Sequence, residues 1–309
     1  MAVDLSPIDA SLLEEIANIH GMPQGAYNIR KDGQLLERNS SANIEIETKT
    51  DNPGIDIHIK PHTKGETVYI PVIMTMSGLK DVVYNTFYIG ENSDVTIIAG
   101  CGIHNEGHEN AQHDGIHSFY LGKNSHVKYI EKHYGEGNGS GERILNPVTN
   151  IFMEDGSTCE MDLFQIKGVS STIRDTNAQT GPNTKLILNE KMLTDGTQTA
   201  VSNMDIKILG DGSNVQVISR SVAQDSSKQT FNPLVVGAAA CHAHIQCDAI
   251  IQGQGRVTAI PGIEAASEDA ELIHEAAIGK IAGDQIVKLM TLGLTEEEAE
   301  AEILDDFLS

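Results

Sequence analysis

The sequence predicts a mainly β protein whose core is a solenoid of short stacked strands, with short helical regions at both ends. Three observations lead there. A turn-and-strand unit recurs through the middle of the chain, at Gly90–Ile97, Gly122–Tyr129, Glu154–Met161, Gly181–Leu188 and Gly210–Val217, with spacings of 32, 32, 27 and 29 residues. Ile44–Glu47 and Ile55–Ile59 alternate apolar and polar residues with period two, the pattern of half-buried strands. The chain also has no Trp, 4% aromatic residues and 29 Gly, a composition suited to many turns. A repeated unit too small to bury its own apolar face buries it on its neighbours. An antiparallel sandwich also contains turn-strand units and is the competing architecture.

The elements follow in order. Residues 1–30 are expected to be helical: Ser6 can cap, Pro7 suits the first helical position and Asp9 sits near the positive end. Leu12, Leu13, Ile16 and Ile19 supply the apolar stripe, which Gly21 and Pro23 stop. Residues 31–268 form the β core. Its inward repeat position is held by Val95, Val127, Leu186 and Val215, and Cys159 takes the same place in the third unit, as a core residue would. Residues 269–309 return to helix. Asp284 can cap a helix with Ile286, Leu289 and Met290 on one face, ended by Gly293. Thr295 and Glu298 make a capping box for a second helix carrying Ala299, Ile303 and Phe307. The two helices suit either an end cap or a docking surface.

Composition excludes several functions. With 44 acidic against 21 basic residues the formal charge is −23, which disfavours nucleic acid and anionic lipid, since both are held by Lys and Arg. No apolar run approaches the roughly 20 residues of a membrane span. Met1–Leu5 lacks the basic and apolar blocks of a signal peptide, and four cysteines make no disulfide framework, so a cytoplasmic protein is expected. Gly122-Lys123 is followed by Asn124 and Gly279-Lys280 by Ile281, so no P-loop is present and no nucleotide is expected on this chain.

Three segments carry donor atoms. Cys101–His117 holds His104, His108, His113 and His117 with Glu106, Glu109 and Asp114, a set that suits zinc or ferrous iron, and its glycines read as a loop. A metal-dependent hydrolase built on this loop is one alternative function; a metal-free adaptor is another. Cys241–Asp248 contains two cysteines that face the same way in an extended strand but stand about 20 Å apart, so they share a metal only if the chain bends. His274 and Glu275 sit where strand character is expected to give way to helix, and adjacent helical residues point ~100° apart.

Cys247-Asp248-Ala249-Ile250-Ile251, Ile260-Pro261, His274-Glu275-Ala276, Gly279-Lys280-Ile281, Asp284-Gln285, Leu292-Gly293-Leu294 and Phe307-Leu308 follow one another in an order that resembles the SufB/SufD scaffold proteins of SUF-type iron–sulfur cluster assembly. His113–His117 and Ile144–Thr149 extend the likeness to the short archaeal-type members. The resemblance implies a right-handed parallel β-helix with helical ends and a homodimer formed through it. It further implies docking of the ABC ATPase SufC on the C-terminal helices, with Ile286, Leu289, Met290, Ile303 and Phe307 as anchors, and transfer to recipient apo iron–sulfur proteins. A transient iron–sulfur cluster would be held by Cys247, Glu275 and His274, with Cys241 as a further candidate. The chain would then be a scaffold, not an enzyme. The second SufB cysteine, which receives sulfur, has no clear match; Cys159 is the upstream candidate in the solenoid.

Overall fold

A computed structural model describes residues 5–308; residues 1–4, where a signal peptide was expected to be absent, and residue 309 lie outside the described residues. The first half comprises α1 (Pro7–Ala17), β1 (Ala26–Lys31), β2 (Gln34–Asn39), β3 (Ile44–Thr48), β4 (Gly54–Ile59), β5 (Lys64–Met74), β6 (Lys80–Ile89), β7 (Asp94–His104), β8 (Ala111–Leu121), β9 (His126–Glu136), β10 (Arg143–Leu145) and β11 (Val148–Met153). The second comprises β12 (Thr158–Lys167), β13 (Ser171–Thr180), β14 (Lys185–Thr194), β15 (Thr199–Ile208), β16 (Ser213–Ala223), β17 (Lys228–Gly237), β18 (Cys241–Ile251), β19 (Arg256–Ala259), β20 (Gly262–Ala265), β21 (Glu271–Gly279), α2 (Gly283–Met290) and α3 (Glu296–Leu308). Among the described residues no helix is long and apolar enough to cross a membrane.

From β4 to β18 the chain alternates between two sheets, with β10 and β11 sharing one of them. One runs β2-β1-β5-β7-β9-β12-β14-β16-β18-β21; the other runs β19-β17-β15-β13-β10-β8-β6-β4-β3, with β11 and β20 paired alongside. Neighbours are parallel except for the hairpins β1–β2 and β3–β4, so the sandwich alternative is excluded and the chain is a β-solenoid of about eight turns. The repeat spacing is the coil. Val95, Val127, Cys159, Leu186, Val215 and Ala243 are direct partners along one ladder. Facing them in the same core is the ladder Phe87, Phe119, Ile151, Ala178, Ile206 and Val235.

The turns explain the sequence signature. The third residue of each unit, Asn92, Asn124, Gly156, Asn183 and Gly212, has φ between 53° and 73°, the left-handed region that Gly and Asn tolerate best. Its N–H donates to the carbonyl of the next coil, at Lys123, Asp155, Pro182, Asp211 and Ala240. The turns therefore stack as a ladder of their own.

Three expected boundaries move. The first helix covers Pro7–Ala17, not residues 1–30: Ser6 and Asp9 form the capping box, Asn18 closes the other end with φ 52°, and Ala26–Lys31 is already strand. Cys101–His117 is not a loop, because Cys101–His104 ends β7 and Ala111–His117 begins β8, leaving residues 105–110 as the connection. Residues 271–279 are strand rather than helix, held by parallel pairing to β18. Tertiary pairing decides that segment over its local character. The helix after it starts at Gly283 with Ala282 as N-cap, so Asp284 lies in the first turn and does not cap. Thr295 and Glu298 do form their capping box.

The glycines of β7 have a packing reason. Helix α1 lies on the outer face of β5, β7 and β9, with Leu12, Leu13 and Ile16 buried. A Cβ on Gly100 would stand 2.5 Å from the Lys132 carbonyl and 3.0 Å from Ile16 Cβ, whereas one on Gly102 would meet the Leu12 side chain at 3.1 Å. Gly100→Ala should therefore cost about 1–3 kcal/mol and loosen α1, and Gly102→Ala clearly less, as read by urea unfolding and by amide exchange over residues 7–17.

Candidate functional site

Strict alternation carries polar residues into the lumen. Two positions beyond each apolar rung pair, the ladder Ala99, Glu131, Leu163, Glu190, Ser219, Cys247 and Ala276 runs through consecutive coils of one sheet. The next rung is Cys101, His133, Gln165, Met192, Ser221 and Ala249. Arg174 enters from the opposite wall, 1% exposed. Its Nη1 donates to Glu131 Oε2 at 2.6 Å, and its Nε stands 3.7 Å from Glu190 Oε1. Tyr129 donates to Glu131, Ser202 and Ser219 donate to Glu190, and His117 Nδ1 lies 2.7 Å from the Tyr129 hydroxyl. Asp81 accepts from Arg30 and pairs with His113 at 3.2 Å.

Burial sets the protonation states. It pushes the Glu131 carboxyl up, but Arg174, His133 and His117 outweigh it and hold the group well below the usual carboxylate range. Burial lowers His117 to about 4 and His133 to about 3, against the partial opposing pull of Glu131. Both imidazoles are thus neutral at pH 7. The cysteines go the other way: burial first, then the Asp81 and Glu131 charges, drives Cys101 well up, and burial takes Cys159 to about 12.

The expected cluster residues lie in the last two coils. In β18 every second residue points into the lumen, so Cys241, Ala243, Ile245, Cys247 and Ala249 are buried while His242, His244 and Gln246 face out. On β21, His274 pairs with Ile245 and Ala276 with Cys247, which places His274 on the lumen side one step from Cys247. Its Nε2 is buried without a hydrogen-bond partner. Glu275 pairs with Gln246 and faces outward, where its Oε1 lies 2.8 Å from His244 Nε2. In a strand, neighbours point to opposite faces rather than 100° apart. One chain therefore places Cys247 and His274 on the same lumen face of adjacent strands, offset by one inward position, and turns Glu275 to the other face.

Cys247 is 1% exposed, and burial, with the charges of Glu190 and Asp248, pushes its thiol up to about 11. Cys241 does not join it: pairing with β16 continues without a register shift from Cys241 to Ile251, so the strand does not bend. Cys159 is fully buried in the apolar ladder. The four histidines of Cys101–His117 separate. His104 pairs with Glu136 and Glu106, His108 meets Ser140 on the surface, and His113 and His117 enter the lumen. Among the described residues no group of three or more His, Cys, Asp or Glu is arranged to hold a metal ion.

The C-terminal helices pack on each other, and α3 reaches β16 and the turn after β18, where Gln252 donates to Glu300. Ala299 and Leu304 are the buried residues there. Of the expected anchors, Ile286, Leu289, Ile303 and Phe307 are half-buried and Met290 is exposed, beside the exposed Val287 and Leu292. Sequence reasoning missed Arg174, Glu131, Glu190 and His244. The signal for the two glutamates was present, since alternation continued from Val127 and Leu186 points both inward.

Residues 72–307 match the family described as "SUF system FeS cluster assembly, SufBD core domain". Among similar proteins, an iron-sulfur cluster assembly SufBD family protein of Methanothermobacter thermautotrophicus is 29% identical over 231 residues, 73% of this chain and 55% of that relative. Family proteins of Archaeoglobus fulgidus and Methanocaldococcus jannaschii are each 25% identical, over 89% and 93% of this chain and 73% and 90% of their own lengths. The matched chain spans little more than half the length of the Methanothermobacter relative.

Removing Arg174 leaves two carboxylates buried without a cation. Arg174→Met should cost about 3–5 kcal/mol, and adding Glu131→Gln and Glu190→Gln should recover part of it, by urea unfolding at pH 7. The depressed imidazoles predict acid lability. Below pH 6.5 the unfolded chain takes up protons that His117 and His133 refuse until about 4 and 3. Their stabilisation is complete above pH 6.5 and falls by about 1.4 kcal/mol per pH unit for each as pH drops toward 4. His133→Gln should halve that part of the slope.

Proposed function

This chain belongs to the SufBD family of the SUF iron–sulfur assembly system, and from that premise we propose that it is a scaffold on which nascent iron–sulfur clusters are built and released. The observation that carries the proposal is the lumen face of the last two coils, where Cys247 and the partnerless Nε2 of His274 share one side of adjacent strands. Thiolate is the ligand that iron–sulfur clusters favour, while imidazole and carboxylate suit iron that must later leave. In the closed solenoid Cys247 is a protonated thiol, so loading requires the lumen to open beside it while β21 stays paired to β18, and the proton to depart. Helices α2 and α3 follow directly on β21, and a SufC-type ABC ATPase docked there would drive that opening by nucleotide-dependent movement. The exposed Val287, Met290 and Leu292 suit such a contact.

Glu275 is assigned to the same cargo from a second copy of the chain. Its outward direction prevents it from meeting Cys247 of its own chain at one iron, whereas a two-fold interface brings the same segment of two chains together.

Anaerobic reconstitution with iron and sulfide tests the scaffold. Charge-transfer absorption should develop on the wild-type chain and be largely lost in Cys247→Ser; a wild-type chain that gains no iron would exclude the role. Mixed dimers of a Cys247→Ser chain with a Glu275→Gln chain should keep about half the loading if sites are composite across the interface, and fall to the single-variant level if they are not. Met290→Glu and Val287→Glu should abolish co-purification with the ATPase while the thermal unfolding of the solenoid stays unchanged.

A further inference from the structure

The outer face of β18 and β21 carries two imidazole–carboxylate pairs, and they differ. His242 Nδ1 stands 3.6 Å from Glu271 Oε2, an ion-pair distance beyond hydrogen-bond reach. His244 Nε2 stands 2.8 Å from Glu275 Oε1. Both imidazoles line one hollow with Asn214 and Gln216 of β16, and the side chain of His244 is the less exposed, at 29% against 44% for His242. Glu275 lies on an edge strand and its side chain is 59% exposed. Among the described residues, no other side-chain hydrogen bond reaches it.

We propose that His244 is a positioning residue for Glu275: its Nε2–H holds Oε1 and fixes the direction of the carboxylate that receives iron, without itself touching the cluster. The proposal deepens the scaffold function and rests on the assignment of Glu275 to the cargo. An unrestrained surface glutamate distributes over many rotamers, and ordering it on binding costs affinity. A ligand carboxylate already held by a neighbour avoids that cost, and losing such a neighbour typically weakens metal binding about 10–100-fold. The His242–Glu271 pair supplies an internal control, being built from the same two strands without the hydrogen bond.

The test is an anaerobic titration of the full chain with ferrous iron at fixed sulfide, read as bound iron and charge-transfer absorption. It compares wild type with His244→Ala, His244→Gln, His242→Ala, Glu275→Gln and the His244→Ala/Glu275→Gln double variant. His244→Ala should need about tenfold more iron for half-loading. His244→Gln, which keeps an N–H in reach, should recover most of that loss, and His242→Ala should match wild type. The double variant should load no worse than Glu275→Gln alone, because His244 acts only through that carboxylate. Wild-type loading in His244→Ala overturns the proposal while the scaffold function stands. So does a double variant worse than Glu275→Gln by the same factor. If His244→Ala unfolds at a lower temperature, rescue by Gln and the double-variant comparison still decide the matter. Equal loading of wild type and Glu275→Gln removes the Glu275 assignment and this proposal together.

Discussion

Parallel pairing in unbroken register is the constraint on which everything else in this molecule depends. Each coil inherits the face assignment of the one before, because a slip of one residue would turn every inward side chain outward. From β9 to β18 that register runs through five strands of one sheet with one irregularity, at the end of β12. Coils differ in length by several residues, and the difference is absorbed between the sheets and not along the ladder. The stacked left-handed Asn and Gly turns keep the ladder aligned at one edge.

The same constraint makes the lumen a place where polar residues must answer for one another. Once Glu131 and Glu190 occupy inward positions, no rotamer takes them to solvent. Arg174, crossing from the opposite wall, holds both. The neighbouring hydroxyls of Tyr129, Ser202 and Ser219 supply the remaining donors. Cys247 stands at the end of this polar ladder, next after Ser219, and feels the charge of Glu190. Its high thiol pKa is therefore a property of the whole column as well as of its own burial.

The coil was legible in the sequence because its turn needs left-handed backbone, which only Asn and Gly supply cheaply, and because the first two inward residues after it are apolar. The polar lumen was legible only by continuing the alternation beyond those residues, where Glu131 and His133 no longer look like core. Strand β21 was not legible. Leu272, His274 and Ala276 form a weak inward pattern, and what holds them extended is the backbone of β18, a long-range partner that local pattern does not reveal. That error propagated to the site, since strand geometry sends His274 and Glu275 to opposite faces. The last helix was legible in place from Thr295 and Glu298, and Ala299 on its expected apolar face is buried, while Leu304 rather than Ile303 or Phe307 completes the buried side.

A stack of coils behaves as a one-dimensional lattice in which each unit is stabilised by its two neighbours. Among the described residues the coil that ends in β21 has a neighbouring coil on one side only, and its strand is exposed along most of its length. Its opening free energy is consequently a fraction of the global value, and it can fray while the interior coils stay shut. The fold thus confines its least cooperative segment to the residues that cover Cys247. Amide exchange would register this as a gradient of protection rising from the C-terminal coil toward the middle of the stack.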